Sequence, residues 1–261
     1  MAFTVHAVMP GVWHIVDCMG VCMTLLEGEN AAMLVDTGYG IEDVADFMRH
    51  MTDLPLTVFL THNHHDHAMG ARCFPETYML EADMADWRMF TDDKMRRRVL
   101  TQAIGKNLPV DEKTFLAGEI PLPKVMKPGV IDLGGLTAEI IEAPGHTPGS
   151  AVVYVPERKL LLSGDDWNPC TWLFFPQALG LREYRSNMRG IQQLPFEKVL
   201  CPHRETLYDR WMFDDFFNAL TDGNLRAAEP VNIAPYEQID TCQATLPHDQ
   251  VLVFDWAKSG L

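Results

Sequence analysis

The chain has 261 residues, 47% hydrophobic and 22% charged, a globular balance that excludes a disordered, collagenous or coiled-coil protein. Its 21 Lys and Arg against 36 Asp and Glu leave a formal net charge of −15, so neither nucleic acid nor an anionic membrane surface is expected as a partner. No apolar run approaches the roughly 20 residues of a membrane-spanning helix. The first basic residue is Arg49, so the amino-terminal stretch lacks the charged region of a secretory signal, and the six scattered cysteines read as reduced thiols. A cytoplasmic protein built as one domain over residues 1–261 is expected.

GVWHIV, VCMTLLEG and NAAMLVDTG are short β-rich runs closed by Gly, Asn or Asp, and predict three strands. In IEDVADFMRHM the apolar Ile41, Val44, Phe47, Met48 and Met51 recur at helical spacing. LTVFLT predicts a strand ending at Thr61, which puts the histidine-rich run after it on a loop at a strand's carboxyl end, where open α/β sheets place their sites. Residues 81–109 predict one or two Met-rich helices carrying the basic run Arg96–Arg98, read mainly as a solvated face and otherwise as a hold for a substrate carboxylate. Strands resume at VIDLGG, LTAEIIEAP, AVVYVPE and KLLLSG. A helix is predicted over EYRSNMRGIQQL, a strand over FEKVLCP, an aromatic-rich helix over DRWMFDDFFNALTDGNL and a last strand over DQVLVFDWAK. Glu229–Pro235 is the one stretch with linker composition.

The strongest chemical signal is THNHHDH, which brings His62, His64, Asp66 and His67 within six residues. His62 and His64 alternate and share a side, leaving Asp66 and His67 for a second centre. Imidazole and carboxylate without cysteine suit borderline divalent cations such as zinc. His65, between them, reads as an exposed loop residue. Further ligands stand at later strand ends: His146 in the Pro- and Gly-bounded turn of APGHTPGS, Asp165 in LLSGDD, and His203 after KVLCP. His6, His14, His50 and His248 lack such company and read as structural or surface residues. Ser150 reads as a turn residue and Cys201 as buried in its strand.

In this order LVDTG, THNHHDH, GHTPGS, SGDD and CPHRE resemble the five motifs of the metallo-β-lactamase superfamily over roughly residues 10 to 205. The resemblance implies an α/β (α+β) fold, a four-layer αβ/βα sandwich of two mixed sheets, with a helical insertion at 82–130 and a C-terminal helix and strand at 206–261. It implies one metal on His62, His64 and His146, a second on Asp66, His67 and His203, Asp165 bridging them, and Asp36 orienting the cluster from outside. Two divalent cations about 3.5–4 Å apart can share a hydroxide that is nucleophilic near neutral pH. Zinc is the expected identity, with iron or manganese as alternatives, and Asp66 is the expected catalytic acid/base.

The expected activity is metal-dependent hydrolysis of a small ester, thioester or lactone. A phosphodiesterase on the same site, favoured if the inserted helices present their arginines inward, and an iron-dependent oxidoreductase such as a persulfide dioxygenase are the alternatives. Asn168 stands where acyl-homoserine lactonases carry Tyr, and beyond His203 four basic residues face ten acidic ones, unlike the basic glutathione-holding region of the glyoxalase thioesterase. Trp167, Trp172, Phe174 and Phe175 crowd the loop after Asp165 and are expected to line a pocket for an apolar substrate; a contact in a homodimer or packing beneath the loop are the other readings.

Overall fold

A computed structural model describes residues 3–261. The strands β1 (Thr4–Met9), β2 (Val12–Val16), β3 (Cys22–Glu27) and β4 (Ala32–Val35) form an antiparallel meander. Helix α1 (Val44–Met51), capped by the Asp43 carboxylate accepting from Asp46 N at 2.9 Å, returns the chain so that β5 (Leu56–Phe59) pairs with β4 in parallel. After the one-turn helix α2 (His65–Ala68), β6 (Tyr78–Met79) extends the sheet. Helices α3 (Trp87–Thr91), α4 (Asp93–Gly105) and α5 (Glu112–Phe115) follow, and β7 (Lys124–Val125) closes a seven-stranded sheet in chain order.

The second half repeats the logic. It runs β8 (Gly129–Asp132), β9 (Thr137–Glu142), β10 (Ala151–Val155), β11 (Leu160–Leu162), β12 (Cys170–Leu173), α6 (Leu181–Ile191), β13 (Lys198–Leu200), β14 (Tyr208–Asp209), α7 (Arg210–Ala219), α8 (Asp222–Arg226), β15 (Glu229–Pro230), β16 (Thr241–Leu246) and β17 (Gln250–Asp255). Six of these strands form a mixed sheet in the order β14-β13-β11-β10-β9-β8, and four form a third sheet, β12-β17-β16-β15.

Strand periodicity assigns the layers. Met33 and Val35 of β4 meet Ala151, Val153 and Val155 of β10 in the core between the two large sheets. The alternate residues Ala32 and Leu34 face Val44, Ala45 and Met48 of α1, while Val152 and Tyr154 face Leu181, Tyr184 and Met188 of α6 and Phe213 and Phe216 of α7. The arrangement is therefore helix, sheet, sheet, helix, and strands covered on both faces read as unbroken apolar runs.

The segment 82–130, expected as a helical insertion, also supplies β7 and begins β8, because Lys124 N donates to Thr77 O (2.8 Å) and returns the chain to the first sheet. The aromatic tail is two helices rather than one: Leu220 leaves helical geometry and Thr221 caps α8. The stretch of linker composition starts as β15, paired with β16. Arg96–Arg98, read as a solvated face, has three different fates. Arg96 is buried and its guanidinium donates to the carbonyls of Gly118 (2.6 Å), Ala117 (3.2 Å) and Phe115. Arg97 stays exposed near Asp93, and Arg98 lies on a cavity wall. Among the described residues all six cysteines are free, and no helix is long and apolar enough to cross a membrane.

Candidate metal centre

Each chemical residue sits just past a strand. Thr61 ends the run from β5, its N and Oγ1 both donating to Asp36 Oδ1 (2.7 and 2.9 Å), while Ala151 N donates to Thr61 O at 2.9 Å and joins the two sheets there. His62 and His64 follow in extended loop. Asp66 and His67 stand on α2 rather than on the loop expected, because the amides of His67 and Ala68 both donate to His64 O and close one helical turn. His146 occupies the turn after β9, Asp165 a 3-10 turn after β11, and His203 the loop after β13. Asp36 takes a left-handed φ of 64°, a conformation uncommon for a residue with a Cβ. It aims its carboxylate at both Thr61 and His67.

These turns bring seven side chains together. Ligand atoms of His62, His64 and His146 lie within 4.8 Å of one another, as do those of His62, His67 and Asp165 and those of Asp66, His67 and His203. Asp165 Oδ2 is 3.5 Å from His146 Nε2 and 3.4 Å from His67 Nε2, and His203 Nε2 is 3.1 Å from the same carboxylate. Asp165 thus stands between the two trios.

Outer hydrogen bonds decide which nitrogen each ring turns inward. Asp36 Oδ2 accepts from His67 Nδ1 (3.0 Å) and Trp172 O from His146 Nδ1 (2.7 Å). The Thr61 hydroxyl, which donates to Asp36, accepts from His62 Nδ1 at 3.1 Å. In each ring this leaves the Nε2 lone pair facing the cluster. His64 is reversed: its Nδ1 lies 2.8 Å from His146 Nε2, and its Nε2 faces the Gln177 amide at 3.0 Å. Among the described residues, Nε2 of His62 and of His67 are buried without a hydrogen-bond partner. Orphaned inward nitrogens beside carboxylates are what a cation's donor set requires, so the residues present fit a divalent metal pair.

The protonation tendencies of the two trios differ. Burial, with neighbouring imidazoles adding to it, holds His62 and His64 well below the usual imidazole range, and burial lowers His146. Burial also disfavours charge on His67 and His203, but the carboxylates, Asp165 first, outweigh it and raise both. Asp66 resists the upward push of burial because His67, His65 and His203 bring it down to about 2, and His203 and His67 hold Asp165 well below the carboxylate range against the same push.

The cluster floors a cavity of about 480 Å³. Of the four aromatics expected there, Trp172 and Phe175 line it. Trp167 and Phe174 do not: both are fully buried, Trp167 against Phe213 and Tyr208, and Phe174 against Trp172, Phe175 and Tyr236. His65, expected as exposed, is half-buried, stacks edge-on against Tyr39 at 5.5 Å and joins the wall. Cys201 is buried as expected, and Ser150 Oγ accepts from Thr147 N in the turn.

Sequence reasoning missed Asp83 and Asp166. Asp83, buried just before α3, accepts from Gly149 N (2.6 Å), Thr147 Oγ1 (2.7 Å) and Asn63 N (3.2 Å), tying the loop of His62 and His64 to the turn of His146. Asp166 Oδ1 accepts from His146 N at 3.0 Å. The doubled aspartate of SGDD was the only local signal for Asp166; for Asp83, 64 residues from Thr147, there was none.

Residues 16–203 match the family model described as the metallo-beta-lactamase superfamily. An acyl-coenzyme A thioesterase, MBLAC2, from Gallus gallus is 26% identical over 202 residues, covering 69% of this chain and 70% of that one. Among solved structures, the metallo-beta-lactamase family protein TTHA1429 from Thermus thermophilus superposes with a TM-score of 0.60 at 20% identity over 85% of this chain and 82% of that one. TTHA1623 in a di-iron-bound form gives 0.53 at 20% identity, covering 76% and 94%. At those identities the two structures share the fold.

Proposed function

The chain belongs to the metallo-β-lactamase superfamily, and from that membership we propose that it is a binuclear metallohydrolase cleaving a small ester, thioester or lactone. The observation that carries the reading is the pair of inward-facing ligand trios, joined at Asp165, on the floor of an open cavity with an aromatic wall. His62, His64 and His146 would hold one cation and Asp66, His67 and His203 the other, with Asp165 between; zinc is the proposed identity. When bound, such cations acidify water and polarise a carbonyl.

The chain's own groups do the rest. Asp36, Thr61 and the Trp172 carbonyl lock the imidazole tautomers, so the ligands need no reorientation. Asp66, ionised and reaching the cavity wall, accepts a proton from the attacking water and returns it to the departing oxygen or sulfur. Phe90, Trp172, Phe175 and Tyr236 offer an apolar bed for the acyl group and exclude water from it. The similarity to an acyl-coenzyme A thioesterase supports a thioester among the candidates. A small-molecule substrate, a cytoplasmic setting and a homodimer belong to the same proposal.

Arg98 on the cavity wall favours a second reading, phosphodiester cleavage. Metal analysis of protein purified without added metal, with chromogenic esters, thioesters, lactones and phosphodiesters as substrates, separates the two. About two zinc per chain with ester or thioester turnover, abolished by Asp66→Ala, is the expected result. Phosphodiester turnover alone selects the second reading. One iron per chain without hydrolysis overturns both.

A further inference from the structure

The cavity has two unlike halves. Around the first trio it is aromatic: Phe90 and Phe175 lie 4.5 and 4.8 Å from the His64 ring, Phe175 is 5.6 Å from His146, and Trp172 and Tyr236 stand 6.2 and 5.4 Å from Phe175. Around the second trio it is polar and cationic. Tyr39 and His65 flank Asp66, Arg204 directly follows His203, and Arg98 is close enough for its charge to act on both Tyr39 and His65.

Helix α4 is built for this wall. Arg96, Val99, Leu100 and Ala103 form its buried face. Met95, Arg98 and Gln102, at i, i+3 and i+7, share a second face and line the cavity. Among the described residues Arg98 and Arg204 meet no carboxylate within ion-pair distance, a state they share with arginines 72, 158, 182, 189 and 226, but of these seven only Arg98 and Arg204 line the cavity. In a chain of net charge −15, two guanidiniums without carboxylate partners at one end of an apolar cavity, Arg204 steadied by donating to His203 O at 2.8 Å, form a receptor for an anion.

We infer that the substrate is amphipathic, its apolar acyl part lying on the aromatic half and its departing part carrying an anionic oxyacid group, carboxylate or phosphate, held by Arg98 and Arg204. This rests on the hydrolase reading and fixes the orientation of the scissile bond. Hydrolysis forms the acyl C–O bond from water and breaks the acyl C–S or C–O bond. The displaced proton goes to the departing sulfur or oxygen, which leaves toward the arginines.

The test measures binding, independently of turnover. Metal-loaded protein is titrated calorimetrically with 4-phenylbutanol, 4-phenylbutanoate and 4-phenylbutyl phosphate. Both anions are expected to bind at least about tenfold more tightly than the alcohol, the size of a hydrogen-bonded charge pair, and the ratio between them identifies the preferred oxyacid. Arg98→Gln and Arg204→Gln should each lower that preference about threefold at unchanged metal content and circular dichroism, Arg98→Lys should restore part of it, and Arg97→Gln, on the exposed face, should leave it intact. Equal binding of alcohol and anions, or an undiminished preference in the Arg98→Gln/Arg204→Gln double variant, which would mean that the cations alone hold the anion, overturns the inference. Absence of thioester turnover with the preference intact counts against the hydrolase reading instead.

Discussion

Replacing Asp83 by alanine should damage the metal centre from outside it. The carboxylate accepts three buried hydrogen bonds, from Gly149 N, Thr147 Oγ1 and Asn63 N. The Thr147 hydroxyl keeps an alternative in Ser150 Oγ at 2.9 Å, but the two amides lose their only side-chain acceptor. At about 1–3 kcal/mol for each stranded donor, Asp83→Ala costs about 3 kcal/mol, or a fall in Tm of about 6–12 °C in a chain of this size. Asn63 lies between His62 and His64, and Thr147 adjoins His146, so the loss falls on all three members of one trio. Metal affinity, read by competition with a chromophoric chelator, should drop about 10–100-fold, the usual cost of removing an outer support. Asp83→Asn keeps one acceptor and should fall between. An Asp83→Ala protein that is destabilised as expected yet holds metal within about twofold of the parent would refute the reasoning.

Three other outcomes are expected. Arg96→Met removes a buried guanidinium from the carbonyls of Gly118, Ala117 and Phe115 and should destabilise by about 2–4 kcal/mol in urea denaturation, whereas Arg97→Met should stay within about 0.5 kcal/mol. Burial lowers the His14 pKa; below its ordinary 6.5 the unfolded chain gains a proton the fold refuses, so the stability His14 confers is full above pH 6.5 and drains as pH falls toward its folded pKa. Between about pH 6.5 and 5.5 the parent should therefore lose up to about 1 kcal/mol more than His14→Gln, and parallel pH profiles would contradict this. Lys258→Met frees the loop whose carbonyls at Phe175, Pro176 and Ala178 its ammonium holds, and should raise KM for apolar acyl substrates about three- to tenfold while metal content stays unchanged.

What could be read from the sequence was what the chain writes locally. Strands buried on both faces announce themselves as apolar runs, so the strands and the strand-end candidates His62, His64, Asp66, His67, His146, Asp165 and His203 were visible, while the sandwich and the sharing of those ligands were implied by the resemblance of the five motifs to the metallo-β-lactamase superfamily. Contacts made at long range were not. Asp83 answers to no pattern near it, and a basic run cannot say which of its arginines will face inward until the helix carrying it is docked. Trp167 and Phe174 show the same limit: nothing in the aromatic loop itself marks which rings pack inward, and Trp167 is covered by Tyr208 and Phe213 from much later in the chain.

Each trio takes two members from the loops of the seven-stranded sheet and one from the six-stranded sheet: His62 and His64 with His146, Asp66 and His67 with His203. Neither half of the chain can complete a site alone. A cation seated in either trio is therefore a cross-link between the halves, formed without cysteine and reversible by a chelator. Its free energy of binding adds directly to the work of separating the sheets. Resistance to unfolding would then read out ambient metal, and a chain starved of cations would present proteases with a sandwich joined by apolar packing and by a few hydrogen bonds, such as Ala151 N to Thr61 O and those of Asp83.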